Sequence, residues 1–71
     1  MSQRKVYHVL RRDDDSWQVV REGFRRPHIV RDSKAEAILL AKRLAKLGPS
    51  ARVIVHSTDN HIEREFSYSD W

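Results

Sequence analysis

The sequence predicts a single α+β domain with the element order βββαββ, in which one helix packs on one face of an antiparallel sheet. The 71 residues suit one domain, with a core over about residues 5–68. Five short segments alternate in hydrophobicity as strands do, and turn-forming residues separate them. One longer segment repeats apolar residues every three or four positions, which is typical of an amphipathic helix.

The first strand is predicted over Lys5–Arg12, where apolar residues occur on both sides of the alternation, as in a central strand. Residues 13–16 then form a turn, because Asp and Ser side chains readily bond their own backbone. The three consecutive Asp residues lack the spacing of a calcium-binding loop, so they indicate a turn and not a metal site.

The second strand, Trp17–Glu22, is followed by a short third strand, His28–Arg31. Gly23 supplies the positive φ that a tight turn or bulge needs. Pro27 cannot donate to a strand ladder, so the third strand should be an edge strand or a bulged one. Trp17 is expected in the core.

The helix is predicted to begin after Ser33, because Ser33 and Glu36 have the spacing of a capping box. It should end at Gly48 and Pro49, which terminate helices. Its apolar stripe consists of Ala37, Leu40, Ala41, Leu44 and Leu47.

The last two strands are predicted over Ala51–Ser57 and His61–Tyr68, with a turn at residues 58–60. The first three strands should form an antiparallel meander, and the last hairpin should extend or edge the sheet. Because one helix covers only one face, the other face should be open to solvent or to a partner.

The positive charge is concentrated in the first part of the chain. Residues 1–31 hold eight Arg and Lys against four Asp and Glu, whereas residues 32–71 hold six of each. The excess is mostly Arg, which suits bidentate contacts to phosphate or base edges, and strands fit the major groove of B-DNA. We therefore expect duplex DNA binding through a basic hairpin. The candidate contact residues are Gln18, Arg21, Arg25, Arg26 and Arg31.

Two other interpretations of the same sequence remain open. The net charge of +4 is also typical of a small domain that is charged only for solubility. Alternatively, the protein is a protein-interaction module or a homodimer of bacterial or phage origin. That interface would use Leu39, Tyr68, Trp71 or an exposed strand edge.

The sequence favours a non-enzymatic domain without a cofactor or metal. It contains no Gly-rich phosphate loop, no nucleophile elbow and no closely spaced helical histidine pair. His8, His28 and His56 lie on predicted strands, where they can cluster across a sheet. No apolar stretch approaches the roughly 20 residues of a membrane span. The absence of Cys suits a reducing compartment, and we expect the cytoplasm and no membrane contact.

Four motifs resemble those of a family of small, functionally uncharacterised bacterial and phage domains. They are Val6-Tyr7-His8-Val9, Trp17-x-Val19-x-Arg21-x-Gly23, Ser33-Lys34-Ala35-Glu36-Ala37 and Val53-x-Val55-His56. The resemblance extends from Lys5 to about Tyr68 and implies no particular activity.

The stretch from Trp17 to Ala45 is also similar to the small N-terminal domains of tyrosine recombinases. The similarity lies in Trp17-x-Val19, the basic hairpin and the helix start. In those domains a three-stranded sheet packs on one helix and enters the major groove, so the resemblance implies DNA binding. Here a strand precedes Trp17 and a hairpin follows the helix, and these additions can cover the face that those domains use.

Overall fold

The computed structural model, which describes residues 4–48 and 50–69, confirms the predicted order of strands and helix. The elements are β1 (Lys5–Arg11), β2 (Trp17–Arg21), β3 (Ile29–Arg31), α1 (Lys34–Lys46), β4 (Ser50–His56) and β5 (Ile62–Ser69). No helix in the described part of the chain is long and apolar enough to span a membrane.

The sheet differs from the expected one in a single strand pairing. Its strand order is β3-β2-β1-β4-β5, and β1 pairs with β4 in parallel while the other pairs are antiparallel. The reason is the path of α1, whose 13 residues span about 20 Å. The helix carries the chain from the last residue of β3 back to the end where β1 begins, so β4 must run in the same direction as β1.

The core lies between α1 and the alternate strand residues that face it. Val9, Val19, Val53 and Val55 are fully buried there, together with three helix alanines, Ala37, Ala41 and Ala45. Trp17 is buried as expected. These small helix residues let the backbone of α1 approach the sheet closely.

The predicted helix stripe is only partly correct. Ala37 and Ala41 are buried and Leu44 packs partly against the core, but Leu47 is 83% exposed. Ala45, which lies outside the predicted stripe, is fully buried instead. The buried stripe is narrower than expected because α1 contacts the sheet through residues spaced four apart, Ala37, Ala41 and Ala45.

Local signals in the sequence set the turns and the start of the helix. Gly23 has the expected positive φ, at 91°, and Asp15 and Asn60 adopt similar values in the other two hairpin turns. The Ser33 Oγ accepts a hydrogen bond from the Glu36 backbone N–H at 3.1 Å, so half of the capping box forms. The Glu36 carboxylate does not complete it, because it pairs with Arg31 at 3.3 Å.

Candidate nucleic-acid interface

The strand register separates two of the predicted DNA-contacting residues. Gln18 lies opposite Val30 and Leu10, on the face that α1 leaves uncovered, whereas Arg31 lies opposite Trp17, on the helix side. The two residues therefore point to opposite faces of the sheet. They cannot enter one groove from the same face, because pairing of β3 with β2 matches Gln18 with Val30. Contact of either residue with DNA stays a prediction.

Arg31 is also distant from the other predicted arginines along the strands. Its partner Trp17 in turn pairs with Arg11, at the end of β1, so Arg31 lies at the opposite end of the sheet from Arg21. Its guanidinium donates to the Val30 carbonyl at 2.8 Å and pairs with Glu36 at 3.3 Å. Arg31 therefore stabilises the start of α1.

The remaining predicted arginines, Arg21, Arg25 and Arg26, lie together in the β2–β3 connection and at its base. A hydrogen bond from the Phe24 N–H to the Arg21 carbonyl, at 3.0 Å, closes the turn. The Arg21 guanidinium lies 5.0 Å from the centre of the Phe24 ring, a cation–π distance. Arg25 and Arg26 are exposed, so their charged groups face solvent.

Residues from distant parts of the chain add to this cluster. The beginning of β1, the end of β2 and the end of α1 all meet at one end of the molecule, and the Lys5 side chain runs beside Gly48. We call this region the basic end; its cations are Arg4, Lys5, Arg21, Arg25, Arg26 and Lys46. Sequence reasoning missed Arg4, Lys5 and Lys46, because only the fold brings them near the hairpin.

Charges elsewhere in the described residues are largely neutralised in pairs. The ion pairs are Arg11–Asp15, Arg12–Asp14, Arg31–Glu36, Lys34–Glu63 and Arg52–Glu65. Two further carboxylates, Glu22 and Asp59, contact the rings of His8 and His61. Within residues 4–48 and 50–69, none of these pairs includes a cation of the basic end. Nine Arg and Lys residues of the described chain have no carboxylate partner, and six of them lie at the basic end; the other three are Lys42, Arg43 and Arg64.

The uncovered side of the sheet carries a mixture of apolar and polar side chains. We call it the open face; it carries Val6, His8, Leu10, Gln18, Val20, Val30, Arg52, Ile54 and His56. Ile54 is only 8% exposed even though no helix covers it, whereas Val30 at the edge is 40% exposed. Arg52, on this face, is already paired with Glu65 across β4 and β5.

Two histidines meet in the middle of the open face. His8 Nδ1 lies 3.0 Å from His56 Nε2, although the two residues are 48 positions apart. The other His8 nitrogen, Nε2, lies 3.3 Å from Glu22 Oε1. His28 does not join them, because its ring packs edge-on against Tyr7 and Phe24.

Burial is the main cause that lowers the pKa of His56, and the nearby His8 adds to it. The Asn60 backbone acts in the opposite direction. His56 is therefore neutral near pH 7. In the described part of the chain its buried Nδ1 has no hydrogen-bond partner.

The predicted protein-contact residues differ in accessibility. Leu39 is 50% exposed on the outer side of α1. Tyr68 pairs with Ala51 and packs against the core, which limits its availability to a partner. Trp71 lies outside the described residues.

A shallow depression of about 560 Å³ lies beside Gln18. Its walls include Arg11, Arg12, Asp13 and Asp14, and Asp14 is paired with Arg12. The carboxylates there oppose phosphate binding, so this depression is a poorer anion site than the basic end.

Comparison with known proteins identifies a family but no activity. A model of the family described as "Uncharacterized protein conserved in bacteria (DUF2188)" matches residues 7–68. No curated protein and no solved structure matches the chain. The family match spans nearly the whole sheet and all of α1, and it confirms the resemblance to small uncharacterised bacterial domains. The chain belongs to this DUF2188 family of uncharacterised bacterial proteins.

Proposed function

We propose that this protein is a non-enzymatic domain that binds duplex DNA through its basic end. The observation that carries the proposal is a concentration of charge: six of the nine Arg and Lys residues that lack a carboxylate partner within residues 4–48 and 50–69 lie at the basic end. Cations without a protein partner can neutralise phosphates and release condensed counterions, which is the main source of affinity in non-specific DNA binding.

The contact proposed here differs from a sheet inserted into the major groove. On the open face, Gln18 lies between two apolar residues, Leu10 and Val30. Arg25 and Arg26 instead project from the β2–β3 connection, where they can hold phosphates on one side of a duplex. Phosphate contacts position a protein without reading bases, so the binding should depend strongly on salt and weakly on sequence.

Fluorescence anisotropy with a labelled duplex tests this proposal at several salt concentrations. If four or five cations contact phosphates, the slope of log affinity against log salt should be about −4. Arg25→Ala/Arg26→Ala should weaken binding by about tenfold at low salt and flatten the slope by about two.

The matched control is Arg11→Ala/Arg12→Ala, which removes the same charge from arginines that already pair with Asp15 and Asp14. It should change the affinity far less than the Arg25/Arg26 variant. Equal losses in the two variants would show that only net charge matters. Absence of binding at low salt would exclude the proposal altogether.

The open face supports a second candidate function, self-association. The five strands contain 7, 5, 3, 7 and 8 residues. At about 3.3 Å per residue and about 4.8 Å between strands they present roughly 480 Å² per copy, so two copies would bury just under about 1,000 Å², the lower limit of a specific interface. Arg52 and Glu65 are already paired, so two copies can approach without an excess of like charge. A second copy of the chain is therefore the proposed occupant.

Sedimentation at several concentrations tests self-association. Val30→Glu, on the open face, should give a monomer, whereas Leu39→Glu, on the outer side of α1, should leave the dimer intact. The two positions are comparably exposed, at 40% and 50%, so neither change should unfold the domain. A wild-type protein that stays monomeric at every concentration would rule out this function.

A further inference from the structure

We infer that His8 and His56 form a two-ligand site on the open face for a divalent transition-metal ion such as Zn²⁺, Ni²⁺ or Cu²⁺. The inference does not depend on DNA binding, because the basic end contributes none of the ligands. It rests on the placement of four ring nitrogens and one carboxylate.

The two nitrogens that face each other are separated by nearly the distance found between two ligands of one zinc ion. His8 Nδ1 and His56 Nε2 are 3.0 Å apart. Two histidine nitrogens, each about 2.0–2.1 Å from a tetrahedral zinc ion, lie about 3.3 Å apart. The rings now face each other nearly head-on, with their centres 5.3 Å apart, so a displacement of a few tenths of an ångström and a rotation of both rings toward one side would bring both lone pairs onto one ion. Sheet pairing of β1 with β4 holds the two side chains in this arrangement.

The remaining His8 nitrogen has a carboxylate partner. His8 Nε2 faces Glu22 Oε1 at 3.3 Å, and a carboxylate in this position accepts an N–H. The proton is thereby fixed on Nε2, and the lone pair is left on Nδ1, which faces His56. Metal-binding histidines usually donate their second N–H to a carboxylate in this way.

His56 presents its own Nε2 to the same point. Metal coordination uses the lone pair of this nitrogen, and the proton of the neutral ring then lies on Nδ1, which is buried and has no hydrogen-bond partner among the described residues. His56 therefore lacks the second partner that Glu22 provides for His8, and it contributes to the site through Nε2 alone.

The chemistry of the ligands limits which ions the site accepts. Imidazole nitrogens suit Zn²⁺, Cu²⁺ and Ni²⁺, whereas Mg²⁺ prefers oxygen ligands. Within residues 4–48 and 50–69, no group of three or more His, Cys, Asp or Glu side chains is arranged to hold a metal. Water must complete the coordination, so the ion should exchange readily.

Zinc titration of the EDTA-treated full chain tests the inference by calorimetry and by long-range ¹⁵N–¹H spectra of the histidine rings. We expect saturable binding of one ion per chain. The His8 Nδ1 and His56 Nε2 resonances should shift, and those of His28 and His61 should not. Mg²⁺ should produce neither heat nor shifts.

Variants then assign the ligands. His8→Gln and His56→Gln should each weaken zinc binding by more than tenfold, and Glu22→Gln should weaken it by about tenfold through loss of the oriented N–H. His28→Gln is the matched control and should bind zinc as the wild type does. Circular dichroism verifies that each variant is folded.

Three results would overturn the inference. They are no saturable zinc binding, zinc-induced shifts at His28 or His61 instead, and wild-type affinity in the folded His8→Gln or His56→Gln variant. If a variant does not fold, the ring shifts of the wild-type protein still decide the question.

Discussion

Asp14 shows how one side chain closes the first hairpin. Its Oδ1 accepts a hydrogen bond from the Ser16 backbone N–H at 3.1 Å and another from the Ser16 Oγ at 2.5 Å. The Ser16 hydroxyl is the larger cause that lowers the pKa of Asp14 below 3.8, and the Ser16 N–H adds to it. The carboxylate form is therefore favoured in the folded protein.

This lowered pKa predicts a stability difference that depends on pH. A carboxyl whose pKa is lower in the folded state stabilises the fold above its unfolded pKa, about 3.9, and the contribution disappears as the pH falls through the folded value. Asp14→Ala should therefore lose stability near pH 6, and the loss should shrink below pH 3.8. Urea denaturation at pH 6 and pH 3 measures it.

Asp13→Ala is the matched control, since Asp13 is exposed in the same turn and makes no ion pair within the described residues. It should show no such pH dependence. A loss for Asp14→Ala that is the same at both pH values would mean that the hydrogen bonds do not depend on the charge of Asp14.

At the scale of single elements, the two glycines differ in whether the backbone conformation requires glycine. Gly23 has a φ of 91°, and a Cβ placed there would meet nothing within 4 Å. Gly48 lies outside the left-handed region, and a Cβ there would only touch the flexible Lys5 side chain at 3.7 Å. Gly23 is therefore needed for its backbone conformation, whereas Gly48 is not.

We predict that Gly23→Ala destabilises the protein by about 1–2 kcal/mol, the cost of a left-handed conformation for an L-residue. Gly48→Ala should change the stability by less than about 0.5 kcal/mol. Urea denaturation of both variants checks the difference. Equal effects would show that the turn relaxes to a conformation that alanine tolerates.

Sequence patterns predict the structural features that depend on residues close together in the sequence. The capping Ser33, the positive φ of Gly23 and the order of the elements all follow from residues close in sequence, and all are confirmed. The parallel pairing of β1 with β4 follows from the path of α1 and was missed. The placement of Gln18 and Arg31 on opposite faces of the sheet was also missed. A three-residue edge strand has too short a hydrophobic pattern to predict its register.

At the scale of the whole molecule, the fully buried part of the core is made of small side chains, and the larger Tyr7 and Trp17 are nearly buried beside it. Its largest fully buried side chains are valines, and α1 contributes three alanines. The helix therefore lies close to the sheet and leaves little space between them. Stability should be more sensitive to added volume at this contact than on the outer side of α1.

Ala41 tests the closeness of the helix to the sheet. It is fully buried, and Ala41→Leu should destabilise the protein by about 1–3 kcal/mol because the added carbons have no space. The control is Leu39→Ala on the outer side of α1, which should cost less than about 1 kcal/mol because alanine is also a good helix former. Thermal unfolding of both variants measures the difference, and a neutral Ala41→Leu would show a looser contact.

The candidate sites are also properties of the whole molecule. The basic end combines Lys5, Arg25 and Lys46, and the histidine pair combines residues 48 positions apart. Local charge and spacing identified the arginine hairpin but not its partners. Only the assembled sheet shows which charges remain without an ion pair in the described residues and which ring nitrogens face each other.

The parallel pairing of β1 with β4 has a consequence for the time at which the domain folds during synthesis. The central strand β1 leaves the ribosome early, but its neighbour β4 is made only after the meander and α1. Until then, the valines of β1 have a strand partner on one side only, so the growing chain holds an incomplete core that is exposed to premature association. The late, long-range closure of the sheet should therefore be the slow step of folding.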